Sequence, residues 1–148
     1  MSTSASTNYD FSEQIGHLLR RAYERHVSIF KEAVPDAQLT AAQFVVLCTL
    51  RDHGTCEIPG IVGFTAIEES TVRGIVERLK WRKLVSVEQQ TGDARRMSVG
   101  LAPAGAAIVE QTIPFAQQIS ERTFAGLDAA ERQSIVSLLR KMGGIRSE

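Results

Sequence analysis

Ser70, Thr71, Arg73, Gly74 and Arg78 fall within one short run, S-T-V-R-G-I-V-E-R-L, and together they can hold an anion. Hydroxyl and guanidinium groups donate hydrogen bonds to phosphate oxygens. A glycine among them removes the side chain that would keep a large ligand away from the backbone. This chemistry is recognition, with no bond made or broken. Arg95 and Arg96 follow just past Thr91-Gly92-Asp93. From residue 68 to 96 the chain has seven Lys/Arg against five Asp/Glu, a small basic excess.

These residues need elements to position them. At ~100° per residue, Val72, Ile75, Val76 and Leu79 share one face of a helix spanning 68–83. The opposite face carries Ser70, Gly74, Glu77 and Trp81, flanked by Arg73 and Arg78. Two alternating runs, 84–89 and 95–101, are joined by the Thr91-Gly92-Asp93 turn and predict a β-hairpin. A helix for the major groove followed by a basic hairpin is the outline of a winged helix-turn-helix.

The whole chain sets limits. Its 148 residues suffice for one domain with a real core, and 43% hydrophobic with 23% charged residues is an ordinary globular balance. Formal net charge is zero, so any nucleic-acid footprint has to be local. No apolar run approaches the ~20 residues of a membrane span. The start, M-S-T-S-A-S-T-N, lacks the regions of a signal peptide, so a cytoplasmic protein with a disordered segment at 1–8 is expected. Two cysteines, Cys48 and Cys56, make neither a disulfide framework nor a zinc site, and His17, His26 and His53 lie far apart. The chain shows no carboxylate pairing, Gly-rich phosphate loop or serine elbow. No enzyme, metal or cofactor is expected.

The remaining elements are helical. Residues 9–33 form a long amphipathic helix ended by Pro35-Asp36. Thr40 caps a second, almost wholly apolar helix that should be the buried centre and that Gly54 stops. A brief helix with Pro59 near its start covers 57–64. Pro103 opens a fifth helix to about Phe124, with Pro114 expected to kink it. Asp128-Ala-Ala-Glu131 opens a sixth, with a stripe of Ile135, Val136, Leu138, Leu139 and Met142. The fold class is therefore mainly α: a winged helix-turn-helix lobe at 39–102, flanked by dimerisation helices at 9–35 and 104–145. The outer helices carry more apolar surface than one chain can cover, so a two-fold homodimer is expected, matching an inverted-repeat operator in double-stranded DNA.

The order and spacing of L-T-A-A-Q-F at 39–44, S-T-V-R-G-I-V-E-R-L at 70–79, K-L-V at 83–85 and D-A-R-R-M-S-V at 93–99 resemble the multiple-antibiotic-resistance regulator (MarR) family. The resemblance runs over about residues 10–143. It implies a homodimeric repressor, released from its operator by a small aromatic carboxylate. It further implies that Ser70, Thr71, Arg73, Gly74 and Arg78 face the groove and phosphates. Arg95 corresponds to the wing arginine of the minor groove and Asp93 to the carboxylate orienting it, with Arg96 on phosphate. Three positions depart from the pattern. Lys83 replaces the usual glycine after the recognition helix, so an ordinary left-handed cap is not expected there; Ala102 replaces a capping threonine; and Trp81 has no counterpart.

Within the family, G-H-L-L-R-R-A-Y at 16–23 and T-I-P-F-A at 112–116 resemble the branch that responds to nicotinate or 6-hydroxynicotinate. That implies an effector pocket between the first, second and fifth helices. His17, Arg20, Arg21 and Tyr23 would supply its polar groups, with Phe44 and Phe115 as walls. Two other readings compete: a redox sensor using Cys48 or Cys56, and a winged-helix module that binds protein. Cys48, inside an apolar helix, reads as inert packing, and Cys56 has no cationic neighbour in sequence to activate it. Arg73, Arg78 and Arg95 argue against a protein-binding face.

Overall fold

The structure is a computed structural model that describes residues 8–90 and 92–145, with the backbone alone at 90 and 93–95. After a 3-10 turn at Phe11–Glu13, α1 runs Ile15–Ala33, so the first helix is broken at Gln14, whose side chain caps it by accepting from the His17 N–H. Val34 is extended before Pro35, as the ring of a following proline requires. The α2 helix (Ala41–His53) opens on a reciprocal capping box. The Thr40 hydroxyl accepts from Gln43 N–H at 3.1 Å, and the Gln43 side chain accepts from Thr40 N–H at 3.2 Å. Val46, Leu47 and Leu50 put α2 at the centre of the core, although Val45 remains exposed. Gly54, at φ 76°, ends it.

The α3 helix (Ile58–Thr65) has its proline in the first turn, and Ala66 takes a left-handed cap. Just before it lies a short strand not expected from the sequence, β1 (Cys56–Glu57). It pairs antiparallel with β3 through Cys56↔Val99 and Glu57↔Ser98. The hairpin strands are β2 (Val85–Gln90) and β3 (Asp93–Leu101), in sheet order β1-β3-β2. Two residues have too little length to show a periodicity of their own, so β1 exists because β3 offers it a free edge.

Between them, α4 (Glu69–Trp81) buries Val72, Ile75, Val76 and Leu79, the face expected from the spacing. Its end corrects one expectation. Lys83 adopts φ 59° and completes a left-handed cap of the usual glycine kind: Leu84 N–H bonds Leu79 C=O, and Lys83 N–H bonds Lys80 C=O, both at 2.9 Å. Burial of Leu79 and of Leu84 fixes where the chain must turn, and the backbone of Lys83 is bent to suit. A β-carbon in that region costs about 1–2 kcal/mol. Lys83→Gly is therefore expected to stabilise the fold by about 1 kcal/mol and raise Tm by about 3–4 °C in a thermal melt. An unchanged Tm would show that the lysine gains as much elsewhere.

The α5 helix (Pro103–Thr123) starts without a side-chain cap at Ala102 and contains Pro114 without ending there. Its Gly105 is packed against the start of the hairpin, where an added Cβ would lie 2.1 Å from the Leu84 carbonyl oxygen. Finally, α6 (Ala129–Met142) has the expected Asp128/Glu131 capping box but no buried residue. Leu138 and Met142 are 57% and 59% exposed.

Candidate functional site

With its apolar stripe in the core, α4 presents Ser70, Thr71, Arg73, Gly74, Glu77 and Arg78 to solvent. Glu68 gives the helix no side-chain cap, so the first-turn N–H groups stay open to an outside acceptor. A Cβ placed on Gly74 would meet nothing within 4 Å, so the chain's own packing does not demand a glycine there. What it leaves is a bare patch of helix backbone on the outer face.

Two of these groups already have partners. The Ser70 hydroxyl donates to the Glu68 carboxylate at 3.1 Å, and Arg73 pairs with Glu69 at 3.1 Å. Both lie at the surface, where an ion pair contributes about 0–1 kcal/mol and yields readily to a phosphate. The far end of α4 is held more firmly. Arg82 reaches back to Asp36 at 2.6 Å, tying the helix to the α1–α2 connection. Burial pushes the Asp36 carboxyl up, but hydrogen bonds from Arg82 and the Gln38 N–H and the Arg82 charge outweigh it and hold it below the ordinary carboxylate range.

In the wing, Arg96 pairs with Glu57 at 3.4 Å, which tethers the hairpin to β1. The expected pair of Asp93 with Arg95 falls among side chains outside the described residues. Trp81, 82% exposed, stands beside a surface hollow of about 310 Å³ that it lines with Gln38, Gln43, Glu77, Arg78 and Arg82.

A second cavity, about 190 Å³, lies between α1, α2 and α5. It is lined by His26 and Phe30, by Ala41, Phe44 and Val45, and by Ala116, Ile119 and Ser120. Phe30 and Phe44 are 5.6 Å apart between ring centroids and form one wall. A cavity of about 150 Å³ accommodates benzene, so this one is the size of a single substituted ring.

Of the residues expected around an effector, Phe44 lines this cavity. Phe115 is half-buried against the core nearby. His17 packs edge-on to Phe11 at 5.0 Å, and Arg20, Arg21 and Tyr23 stand exposed on α1 outside it. Among the described residues no arginine or lysine lines the cavity.

The polar residue not anticipated there is His26. It sits one turn before Phe30 on the inward side of α1, a placement visible in the sequence spacing. Its Nδ1 lies 3.0 Å from the Thr123 hydroxyl, and burial pushes its pKa below that of a free histidine.

The thiols are poor redox candidates. Burial pushes both Cys48 and Cys56 up, away from the reactive thiolate. Among the described residues no group of three or more His, Cys, Asp or Glu is placed to hold a metal ion, and no helix is long and apolar enough to cross a membrane.

Known proteins share this fold. The MarR family profile matches residues 39–97. The chain is 50% identical over 137 residues to the HTH-type transcriptional repressor NicR of Pseudomonas putida, covering 93% of this chain and 87% of the relative. It is 57% identical to the solved structure of Bordetella bronchiseptica BpsR, whose DNA binding is regulated by 6-hydroxynicotinic acid. That match has a TM-score of 0.85 and covers 92% of this chain and 98% of the other. A MarR variant from Escherichia coli, solved in complex with operator DNA, is 26% identical with a TM-score of 0.77, covering 90% and 99% of the two chains. With a recognition helix, a β-wing and a flanking helical pocket in one order, this chain belongs to the MarR family.

Proposed function

We propose that the protein is a homodimeric transcriptional repressor that reads an inverted-repeat operator and is released by a small aromatic acid, with 6-hydroxynicotinate the first candidate. The observation that carries the DNA half is α4 itself. It is anchored by buried Val72, Ile75, Val76 and Leu79, while its outer face offers hydroxyls, arginines and bare backbone. Residues 39–102 act as the DNA-reading lobe, and α1, α5 and α6 hold the two copies together. Ser70, Thr71, Arg73, Gly74 and Arg78 meet groove and phosphates, while Arg95 from the wing enters the minor groove and Asp93 orients it. Arg96 shares its charge between Glu57 and the DNA backbone. The cavity beside His26 takes the effector. Such a protein works in the cytoplasm, where the chromosome lies.

The test is a mobility shift on an inverted repeat from the protein's own promoter region, repeated across salt concentrations. Affinity is expected to fall steeply as salt rises, because each neutralised phosphate releases counterions. No shift even at low salt would end the DNA reading. Gly74→Ala separates fold from function. It is expected to stabilise α4 by about 1 kcal/mol, since alanine is the better helix former and meets no clash. Operator affinity should nonetheless drop about tenfold, since a methyl group now stands between helix and groove. If binding held while stability rose, the Gly74 patch would not touch DNA.

A further inference from the structure

The hydrogen bonds around His26 define what the cavity can recognise, provided that it is the effector site proposed above. Thr123 has one hydroxyl hydrogen, and it is donated to the Ile119 carbonyl at 2.8 Å. Toward His26, 3.0 Å away, the same oxygen can therefore only accept. With the hydroxyl hydrogen on Ile119, the imidazole hydrogen sits on Nδ1. The remaining ring nitrogen, Nε2, carries a lone pair and no hydrogen in the neutral ring. Burial favours that neutral ring, pushing the pKa below that of a free histidine.

The rest of the lining sharpens the point. Besides His26, the one side-chain polar group on it among the described residues is the Ser120 hydroxyl, which can donate or accept and so selects for neither. Among the described residues no lysine or arginine lines the cavity, so none of them offers a carboxylate a cationic partner inside it. Nε2 is the one group there that asks for a particular partner, a hydrogen-bond donor on the ligand ring.

We propose that His26 reads a ring-borne N–H or O–H donor on the effector, with Thr123 as the positioning residue that holds the acceptor nitrogen in place. The site then prefers a hydroxylated or lactam ring acid over the parent acid that lacks the donor. In 6-hydroxynicotinate the lactam form carries such an N–H; in nicotinate the ring nitrogen is itself an acceptor and would face Nε2 lone pair to lone pair. Leaving a buried acceptor facing another acceptor forfeits the bond and adds a desolvation penalty.

The experiment is calorimetric titration of the full chain with 6-hydroxynicotinate, its N-methyl lactam and nicotinate. Wild type is expected to bind 6-hydroxynicotinate about tenfold or more tightly than either of the others. In His26→Leu the three affinities should converge to within about threefold. His26→Gln, whose amide oxygen can accept, should keep part of the preference, and Thr123→Val should lose part of it by freeing the tautomer. Were the N-methyl compound rejected by size alone, the loss would persist in His26→Leu, and that result overturns the proposal. Equal binding of all three acids by wild type, a result that does not depend on any variant folding, overturns it as well. If none of the acids binds, the effector reading fails and takes this inference with it. Binding without preference removes the inference alone.

Discussion

Replacing Leu138 and Leu139 together by glutamate is expected to turn the dimer into monomers and to weaken operator binding about a hundredfold or more. The reason begins with α6 itself. It is well capped at Asp128, yet it buries none of its residues, and Ile135, Val136, Leu138, Leu139 and Met142 all face outward. A helix of 14 residues is marginal in water without a partner for its apolar face. A second stripe on the first segment, Phe11, Ile15, Leu18 and Leu19, is exposed in the same way. A second copy of the chain supplies what both stripes lack. Each leucine that becomes fully buried contributes about 1.5–3 kcal/mol, and by two-fold symmetry each is counted twice.

Glutamates at these positions would face apolar surface, where an unpaired carboxylate is costly to bury. The DNA effect follows from the loss of the second half-site, because tethering two weak contacts raises overall affinity by about 10²–10⁴ without any new contact. Sedimentation equilibrium reads the dimer, mobility shift reads the operator, and circular dichroism should show the helices largely retained. A variant that stays dimeric would place the interface on α1 and α5.

Gly105→Ala is expected to destabilise the protein by about 3 kcal/mol and to lower Tm by roughly 10 °C. The added Cβ would stand 2.1 Å from the Leu84 carbonyl oxygen and 2.8 Å from Leu101 Cδ1. Neither can move away cheaply. The Leu84 carbonyl also accepts the Ala102 N–H at 3.0 Å, the bond that joins the start of β2 to the entrance of α5. Leu84 itself is buried and lies one residue beyond the strained Lys83. A methyl group at Gly105 therefore pushes on the place where α4, the wing and α5 meet. A thermal melt gives the stability loss. A Tm within about 2 °C of wild type would mean that this junction gives way more easily than its geometry indicates. The contrast with Gly74 is instructive. Both are glycines inside helices, but one is required by the chain's own backbone and the other faces open space.

Much of the fold was readable because its signals are local. Thr40 with Gln43, and Asp128 with Glu131, each satisfy their helix starts within four residues of chain. Gly54 stops α2 by a conformation that glycine adopts at little cost. The stripe Val72, Ile75, Val76 and Leu79 follows from 3.6 residues per turn, and every member is buried. The same periodicity places Ser70, Gly74 and Arg78 on the outer face. At Lys83 the local rule misled, since an L-residue was forced into the left-handed region by the burial of Leu79 and Leu84 on either side.

What the sequence determined by itself is thus the set of elements and the outward face of the recognition helix, because capping and periodicity act over a few residues. Tertiary structure alone decided the pairings that span long stretches of chain. The β1 strand exists only against β3, and Arg96 of the wing is tethered to Glu57 across the sheet. His26 meets Thr123 at a separation of 97 residues. Spacing along the chain carries no record of such meetings. They depend on how α1 lies across α5, and that is fixed by the packing of all the buried side chains together.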